Sequence, residues 1–306
     1  MRSLYSVGGL DAGGVVTVRG LGDCVARGPA EAALRGAGVV GGSRRPLTFD
    51  ALVFDVDGTL ADTEELHRQA FNEAFFACGI NWRWGPALYA DLLQITGGKE
   101  RIASFLSQQR VSAAERGRLL RLIPQIHATK TRLYQELVAL GHLRPRDGVR
   151  RLMMEARSAG LKLAIASTTS PENVESLLTS SFGSDAPSWF AAIATGDVVA
   201  NKKPAPDIYS LALQQLGVTP HRAIAFEDSA IGVRSAKAAG LFTIATPSLW
   251  TIGQDFSRAD VVLTSLADPE RPLYAIDELR IGAKYLGLDE LETLHSAALL
   301  LKEAPI

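Results

Sequence analysis

Hydrophobic and polar positions divide the chain into a stretch without a period and a longer stretch with clear ones. Over residues 1–48, Gly, Val, Ala and Arg dominate, and the acids are Asp11, Asp23 and Glu31. Apolar residues there neither alternate nor recur at helical spacing, so the segment is expected to be a disordered extension or a start-codon artefact. Its Arg-rich, acid-poor character leaves a plastid transit peptide as the alternative, which the small number of serines weakens. Order is predicted to begin at Leu47. The apolar run Leu52-Val53-Phe54 ends in Asp55-Val56-Asp57-Gly58-Thr59, the pattern of a buried strand followed by a polar loop. From residue 63 to about 140 the pattern becomes helical, with Leu66, Ala70, Phe71, Ala74 and Phe75 on one face. Pro86 and Gly97-Gly98 interrupt it, and it resumes from Ser112 to Leu140.

After Pro145 and Gly148, strands and helices alternate. Strands are predicted at 161–166, 190–194, 223–226, 241–245 and 261–263, with helices at 171–178, 207–216 and 229–239 between them. Such alternation predicts an α/β fold with a doubly wound parallel sheet. The helical stretch inserted after the first strand would be a separate cap. The expected organisation is a core from 49–62 and 143–270, a helical cap over 63–142, and a helical tail over 271–306 packed on the core. Leu288, Leu291, Leu294, Leu299 and Leu300 would supply the tail's apolar contacts.

Composition narrows the function classes. The formal net charge of −1 gives no general pull toward nucleic acid or an anionic membrane. No apolar run approaches the roughly 20 residues of a membrane span. The two cysteines, Cys24 and Cys78, make no disulfide framework. A reducing compartment, the cytoplasm, is the simpler expectation, with the plastid stroma the alternative if the N-terminal segment is a transit peptide. The expected partner is a small molecule and the expected state a monomer.

In open α/β sheets, ligands bind beyond the carboxyl ends of the strands. The predicted strands deliver Asp55 and Asp57, then Ser167, Thr168 and Thr169, then Glu227 and Asp228 to that edge, and Lys203 lies in a nearby loop. Four acids gathered together call for a cation, and an all-oxygen ligand set with phosphate suits Mg²⁺. Asp55 and Asp228 would bind it through carboxylates and Asp57 through its carbonyl, with Glu227 also in the metal set. Lys203 would take one phosphate oxygen and Ser167 another. Blander readings exist for each part. Asp55 and Asp57 alone could form an Asx-type turn, Glu227-Asp228 could cap the following helix, Ser167 could simply end a strand, and Lys203 could be a solvated loop charge. Lys202 reads as surface, Trp82 and Trp84 as cap packing, and Asp62 and Glu64 as helix N-terminal acids or contacts to sugar hydroxyls.

These ordered motifs resemble those of haloacid dehalogenase phosphatases over about residues 50–265. The stretches Phe54 to His67, Thr96 to Ile102, Ala166 to Ser170 and Lys202 to Tyr209 are similar to the CbbY-type subfamily. The resemblance implies removal of a phosphate from xylulose-1,5-bisphosphate, an inhibitor of Rubisco. Asp55 would be the nucleophile that forms an aspartyl phosphate and Asp57 the general acid and base. Ser167 and Lys203 would complete the catalytic set, and backbone amides after Asp55, around Gly58, would meet the transferring oxygens. Thr63 and His67 match positions that face the substrate in the related β-phosphoglucomutase group. A bisphosphate needs a second anion site, for which Lys99 and Arg101 beside Gly97-Gly98 are candidates, with Thr168 as a further substrate contact. Three readings compete: a phosphomutase, a broad sugar-phosphate or phosphoglycolate phosphatase, and a non-catalytic phospho-receiver module.

Overall fold

Four apolar residues in succession, Ala51–Phe54, form strand β1 and are completely buried, as a central strand covered on both faces must be. This computed structural model describes residues 46–303. The expected N-terminal extension, apart from its last three residues, lies outside the described residues. After β1 come helices α1 (Glu64–Ala77), α2 (Pro86–Leu92), α3 (Gly98–Ser107) and α4 (Ala113–Ala139). The alternating part follows: α5 (Val149–Ser158), β2 (Lys162–Ala166), α6 (Pro171–Phe182), β3 (Ala192–Ala194), α7 (Asp207–Leu216), β4 (Ala223–Glu227), α8 (Ala230–Ala238), β5 (Phe242–Ala245) and β6 (Val261–Val262). Helices α9 (Ala275–Ile281) and α10 (Leu288–Glu303) end the described chain. Pro86 and Gly97-Gly98, read as interruptions, stand at the starts of α2 and α3. Their fixed φ and small size suit a first turn. Helix α5 went unforeseen although its apolar stripe of Val149, Leu152, Met153 and Ala156 falls at regular helical spacing.

All six strands are parallel, in the order β3-β2-β1-β4-β5-β6. This is the doubly wound arrangement expected from the pattern. The order reverses direction between β1 and β4, so the crevice at their carboxyl ends is where such folds hold ligands. Side chains alternate by size across the sheet. Leu52, Phe54, Leu163, Ile165, Ile224 and Phe226 face α5, α6 and residues of the tail. Ala51, Val53, Ala164, Ala166, Ala223 and Ala225 face α7 and α8. Small residues on that second face let α7 lie close to the strands, which brings the loop before it over the β1 end.

Helices α1–α4 enclose their own apolar cluster, centred on Phe71, Phe75, Trp84, Tyr89, Ile102 and Phe105. Trp82 and Trp84 pack there, as expected. The tail joins the main core through Leu288 and Leu291, with Leu294 partly buried against it. Leu300 differs from expectation and is exposed, because the last turns of α10 run past the core. Glu292 and His295 of α10 bond Thr48 at 2.7–2.9 Å, fastening the entry to β1.

Tight packing on the alanine face makes Ala164→Leu an overpacking change. It is expected to lower stability by about 1–3 kcal/mol in denaturant unfolding; unchanged stability would show that α7 is free to move outward.

Candidate active site

Strand β1 ends at Phe54, and the chain turns immediately. Leu60 N–H donates to Val56 O at 2.9 Å and Gly58 N–H to Ala61 O at 2.9 Å. Gly58 has φ +78°, and a Cβ there would stand 2.1 Å from Asp228 Oδ2. Only glycine lets this turn pass so close to the carboxylate. Beside it, β4 delivers Glu227 as its last residue and Asp228 just beyond, β2 leads into Ser167, and the loop before α7 carries Lys203. All five side chains of Asp55, Ser167, Lys203, Glu227 and Asp228 are buried.

Lys203 Nζ donates to Asp55 Oδ1 at 2.7 Å and to Glu227 Oε1 at 2.6 Å. Tyr209 of α7 donates its hydroxyl to the same Glu227 oxygen at 2.7 Å. Ser248 Oγ donates to Asp228 Oδ2 at 2.8 Å, and Thr251 Oγ1 to Asp228 O at 2.7 Å. One oxygen each from Asp55, Glu227 and Asp228 lies within 4.8 Å of the others. Three buried carboxylates thus lie close together, and the Lys203 ammonium pairs with two of them. Burial and the neighbouring Glu227 charge push the Asp55 carboxyl up to about 7 against the pull of Lys203. Burial, Asp55 and Glu227 likewise raise Asp228 well above the carboxylate range. Burial alone would discharge Lys203, but Asp55 and Glu227 raise its pKa and keep it charged. An all-oxygen donor set short of positive charge fits a hard divalent cation.

Asp57 faces a second set of groups. Its Oδ1 accepts from Thr63 Oγ1 at 2.7 Å and meets His67 Nε2 at 2.9 Å. Lys130 Nζ, from α4, lies 2.7 Å from His67 Nδ1. A lysine donating into Nδ1 places the ring proton on Nε2, which donates to Asp57. Burial, then the Lys130 charge, lowers the His67 pKa, so the imidazole is neutral. Burial works to raise Asp57, but the contacts of His67 and Thr63 and the charge of Lys130 bring it below the usual carboxylate range. Burial lowers Lys130 to about 8. His67 also stacks on Tyr134 at 4.0 Å between ring centroids.

A cavity of about 610 Å³ opens from these groups toward the helices, with Asp55, Asp57, Ser167 and Lys203 at one end. Thr168, His67, Gly98, Lys99 and Arg101 also line it. Two expected substrate contacts do not: Thr63 is fully buried and spends its hydroxyl on Asp57, and Gly58 spends its amide on Ala61. Gly98 begins α3, where an added Cβ would come within 2.6 Å of His127 Cδ2. Lys99 Nζ pairs with Asp197 at 2.8 Å. Arg101 holds Leu92 O at 3.1 Å and Tyr89 Oη at 3.2 Å. Lys202, read as surface, instead lines the cavity and pairs with Glu100 at 2.6 Å and Asp197 at 2.7 Å. Glu64 lines the cavity and accepts from Tyr89 Oη at 2.8 Å, whereas Asp62 is outside the lining and mostly exposed.

Lys130, Tyr209, Ser248 and Thr251 were missed in the sequence. Lys130 had a readable signal, since it interrupts the apolar stripe Ile126, Tyr134, Val138 of α4 at four-residue spacing. Ser248 and Thr251 follow β5, the one central strand end left without a candidate.

A family model for "haloacid dehalogenase-like hydrolase" matches residues 49–240. Protein CbbY of Cereibacter sphaeroides is 50% identical over 220 residues, which is 72% of this chain and 94% of that protein. The crystal structure of a mutant CbbY from Rhodobacter sphaeroides in complex with xylulose-(1,5)bisphosphate is 49% identical, with a TM-score of 0.68 over 72% of this chain and 96% of that one. A β-phosphoglucomutase from Clostridium difficile, 20% identical, shares the fold with a TM-score of 0.60 over 82% of this chain and 99% of its own. Among the described residues, no helix is long and apolar enough to cross a membrane.

The raised carboxyls make divalent-ion binding proton-linked. Below about pH 7, Asp55 holds a proton that an incoming cation must expel. Calorimetric Mg²⁺ titration in buffers of different ionisation enthalpy should show proton release at about pH 6 that shrinks toward about pH 9. Binding without release at the lower pH would contradict this electrostatic account. For the second set, Lys130→Met removes the like charge beside His67. Its pKa, followed by NMR, is expected to rise; no movement would mean Lys130 does not set the imidazole's charge.

Proposed function

The chain belongs to the haloacid dehalogenase-like hydrolases and is a phosphatase, and we propose that it removes one phosphate from a sugar bisphosphate, xylulose-1,5-bisphosphate foremost. The observation that carries this reading is the half-identity to CbbY along nearly that protein's full length, joined to the xylulose-(1,5)bisphosphate complex of the Rhodobacter sphaeroides protein. The cavity supports it, lined by the carboxylates and by Lys99, Arg101 and Lys202, whose present partners a second phosphate would have to share or displace.

In this reading Asp55 attacks phosphorus, its oxygen forming a bond as the bond to the sugar oxygen breaks. Asp57 gives a proton to the departing sugar oxygen. It later takes one from the water that splits the aspartyl phosphate, returning Asp55 to its starting state. Thr63 and His67 hold the Asp57 carboxylate away from Asp55, which suits a proton carrier that binds no metal through its side chain. Asp57 is ionised at rest, and a phosphate dianion arriving beside it raises its proton affinity. Lys203 offsets the nucleophile's charge, and the Ser167 hydroxyl donates to a phosphate oxygen.

Mg²⁺ would be held by the Asp55 and Asp228 carboxylates and the Asp57 carbonyl, and when bound it supplies positive charge against the phosphate oxygens. Glu227 was expected among the ligands. Its oxygens are engaged by Lys203, Tyr209 and Ser229, so its proposed role is to anchor Lys203. Helices α1–α4, closed over the cavity, exclude bulk water while Asp55 is phosphorylated.

A phosphate-release screen of sugar mono- and bisphosphates with Mg²⁺ tests the assignment. Bisphosphate turnover without an isomerised monophosphate is expected. Equal turnover of monophosphates would replace the assignment by a broad phosphatase, and an isomerised product by a mutase. Asp57→Asn should cut turnover by about 10²–10⁴-fold, and Asp55→Asn should leave none above background with the fold retained.

A further inference from the structure

The loop between β5 and β6 carries three large apolar residues in a row of four, Leu249, Trp250 and Ile252. Leu249 and Ile252 are 87% and 72% exposed. Trp250 behaves differently. Its ring packs into the apolar cluster of α1–α4, edge-on to Tyr89 with centroids 5.5 Å apart and planes at 88°. Among the described residues of that cluster, all others lie between positions 71 and 133. Trp250 is therefore a sheet-borne side chain seated in the cap's own core.

The loop is fixed on both sides of this tryptophan. Ser248 and Thr251 bond Asp228. Gln254 Oε1 accepts from Ala230 N–H at the start of α8 at 2.8 Å. On the far side, Tyr89 is completely buried, and its hydroxyl joins Glu64 and Arg101, both of which line the cavity. The Arg101 guanidinium also lies 5.4 Å from the Tyr89 ring centroid.

We propose that Trp250 is a positioning residue that docks the helical cap onto the loop holding Asp228, and through Tyr89 sets Arg101 for the part of the substrate remote from Asp55. The other close links between cap and core at this mouth are polar: Thr96 Oγ1 to Lys203 O at 2.7 Å, and the Lys99, Glu100, Asp197 and Lys202 ion pairs. Charged links of this kind exchange with water and salt. An aromatic pair does not, so Trp250 biases the closed arrangement before any phosphate arrives. This inference rests on the bisphosphate reading for its substrate, while the docking itself does not.

The test compares wild type, Trp250→Ala and Trp250→Phe as full chains with Mg²⁺. For xylulose-1,5-bisphosphate, Trp250→Ala should lose about tenfold in kcat/KM, the scale of one aromatic pair acting on the closed population. Hydrolysis of p-nitrophenyl phosphate, which has no second phosphate to reach Arg101, should fall by much less, and Trp250→Phe should restore most of the loss. In metal-free protein, hydrogen exchange over residues 86–107 should accelerate in Trp250→Ala while β1 and β4 keep their protection. Equal loss on both substrates, or unaltered exchange over 86–107, would overturn the proposal. If wild type leaves the bisphosphate intact, the substrate reading fails, and the exchange measurement alone decides Trp250.

Discussion

Lys203 between Asp55 and Glu227 is the contact on which the rest of the site depends. Burying a carboxylate is costly without a partner, and here three are buried together with one ammonium that pairs with two of them. The fold tolerates this because two of the three are also bound elsewhere: Glu227 by Tyr209, and Asp228 by Ser248 and Thr251. What remains is a deficit of positive charge at the end of β1. Such a deficit is a poor contribution to stability and a ready-made attraction for a cation with a phosphate attached. Groups fixed in advance need no reorganisation when charge moves during reaction, which is where electrostatic catalysis gains most.

Two packing solutions surround that centre. The sheet is asymmetric, with Leu, Ile and Phe on one face and mainly Ala on the other. The alanine face admits α7 closely, and α7 with its preceding loop brings Tyr209 and Lys203 to Glu227. The helices α1–α4 rely on aromatic rings instead, with Phe71, Phe75, Trp84 and Tyr89 in mutual contact. Arg146 lies where the chain returns from these helices. It bonds Thr246 O at 2.6 Å and Pro247 O at 3.0 Å, and also Gly58 O. It thereby ties the return segment to the turn after β1 and to the loop after β5.

Much of this was legible because a parallel sheet announces itself. Short apolar runs ending in Asp55, Ser167 and Glu227 locate three strand ends, and the topology brings strand ends together whatever lies between them. Lys203 was legible from its Lys-Pro loop. What escaped were side chains whose roles depend on tertiary contact. Lys130 acts on Asp57, through His67, only because α4 and α1 pack side by side. Lys202 has no local feature that separates it from a solvated lysine; Glu100 of α3 gives it its place. Gly58 and Thr63 were expected to touch substrate, but each has its polar group committed inside the protein. The exposed Leu300 shows the limit of counting leucines, since the stripe continues after the surface it covered has ended.

The carboxylates around Lys203 come from segments that are far apart along the chain and meet only when β1 and β4 pair. The unfolded polypeptide therefore has nothing with which to chelate an ion at this place. An ion held only by the native form stabilises it by mass action, in proportion to the logarithm of free ion over dissociation constant. A divalent cation seated there would then brace the native form thermodynamically. Its depletion would expose the chain to proteolysis before any change in the protein itself.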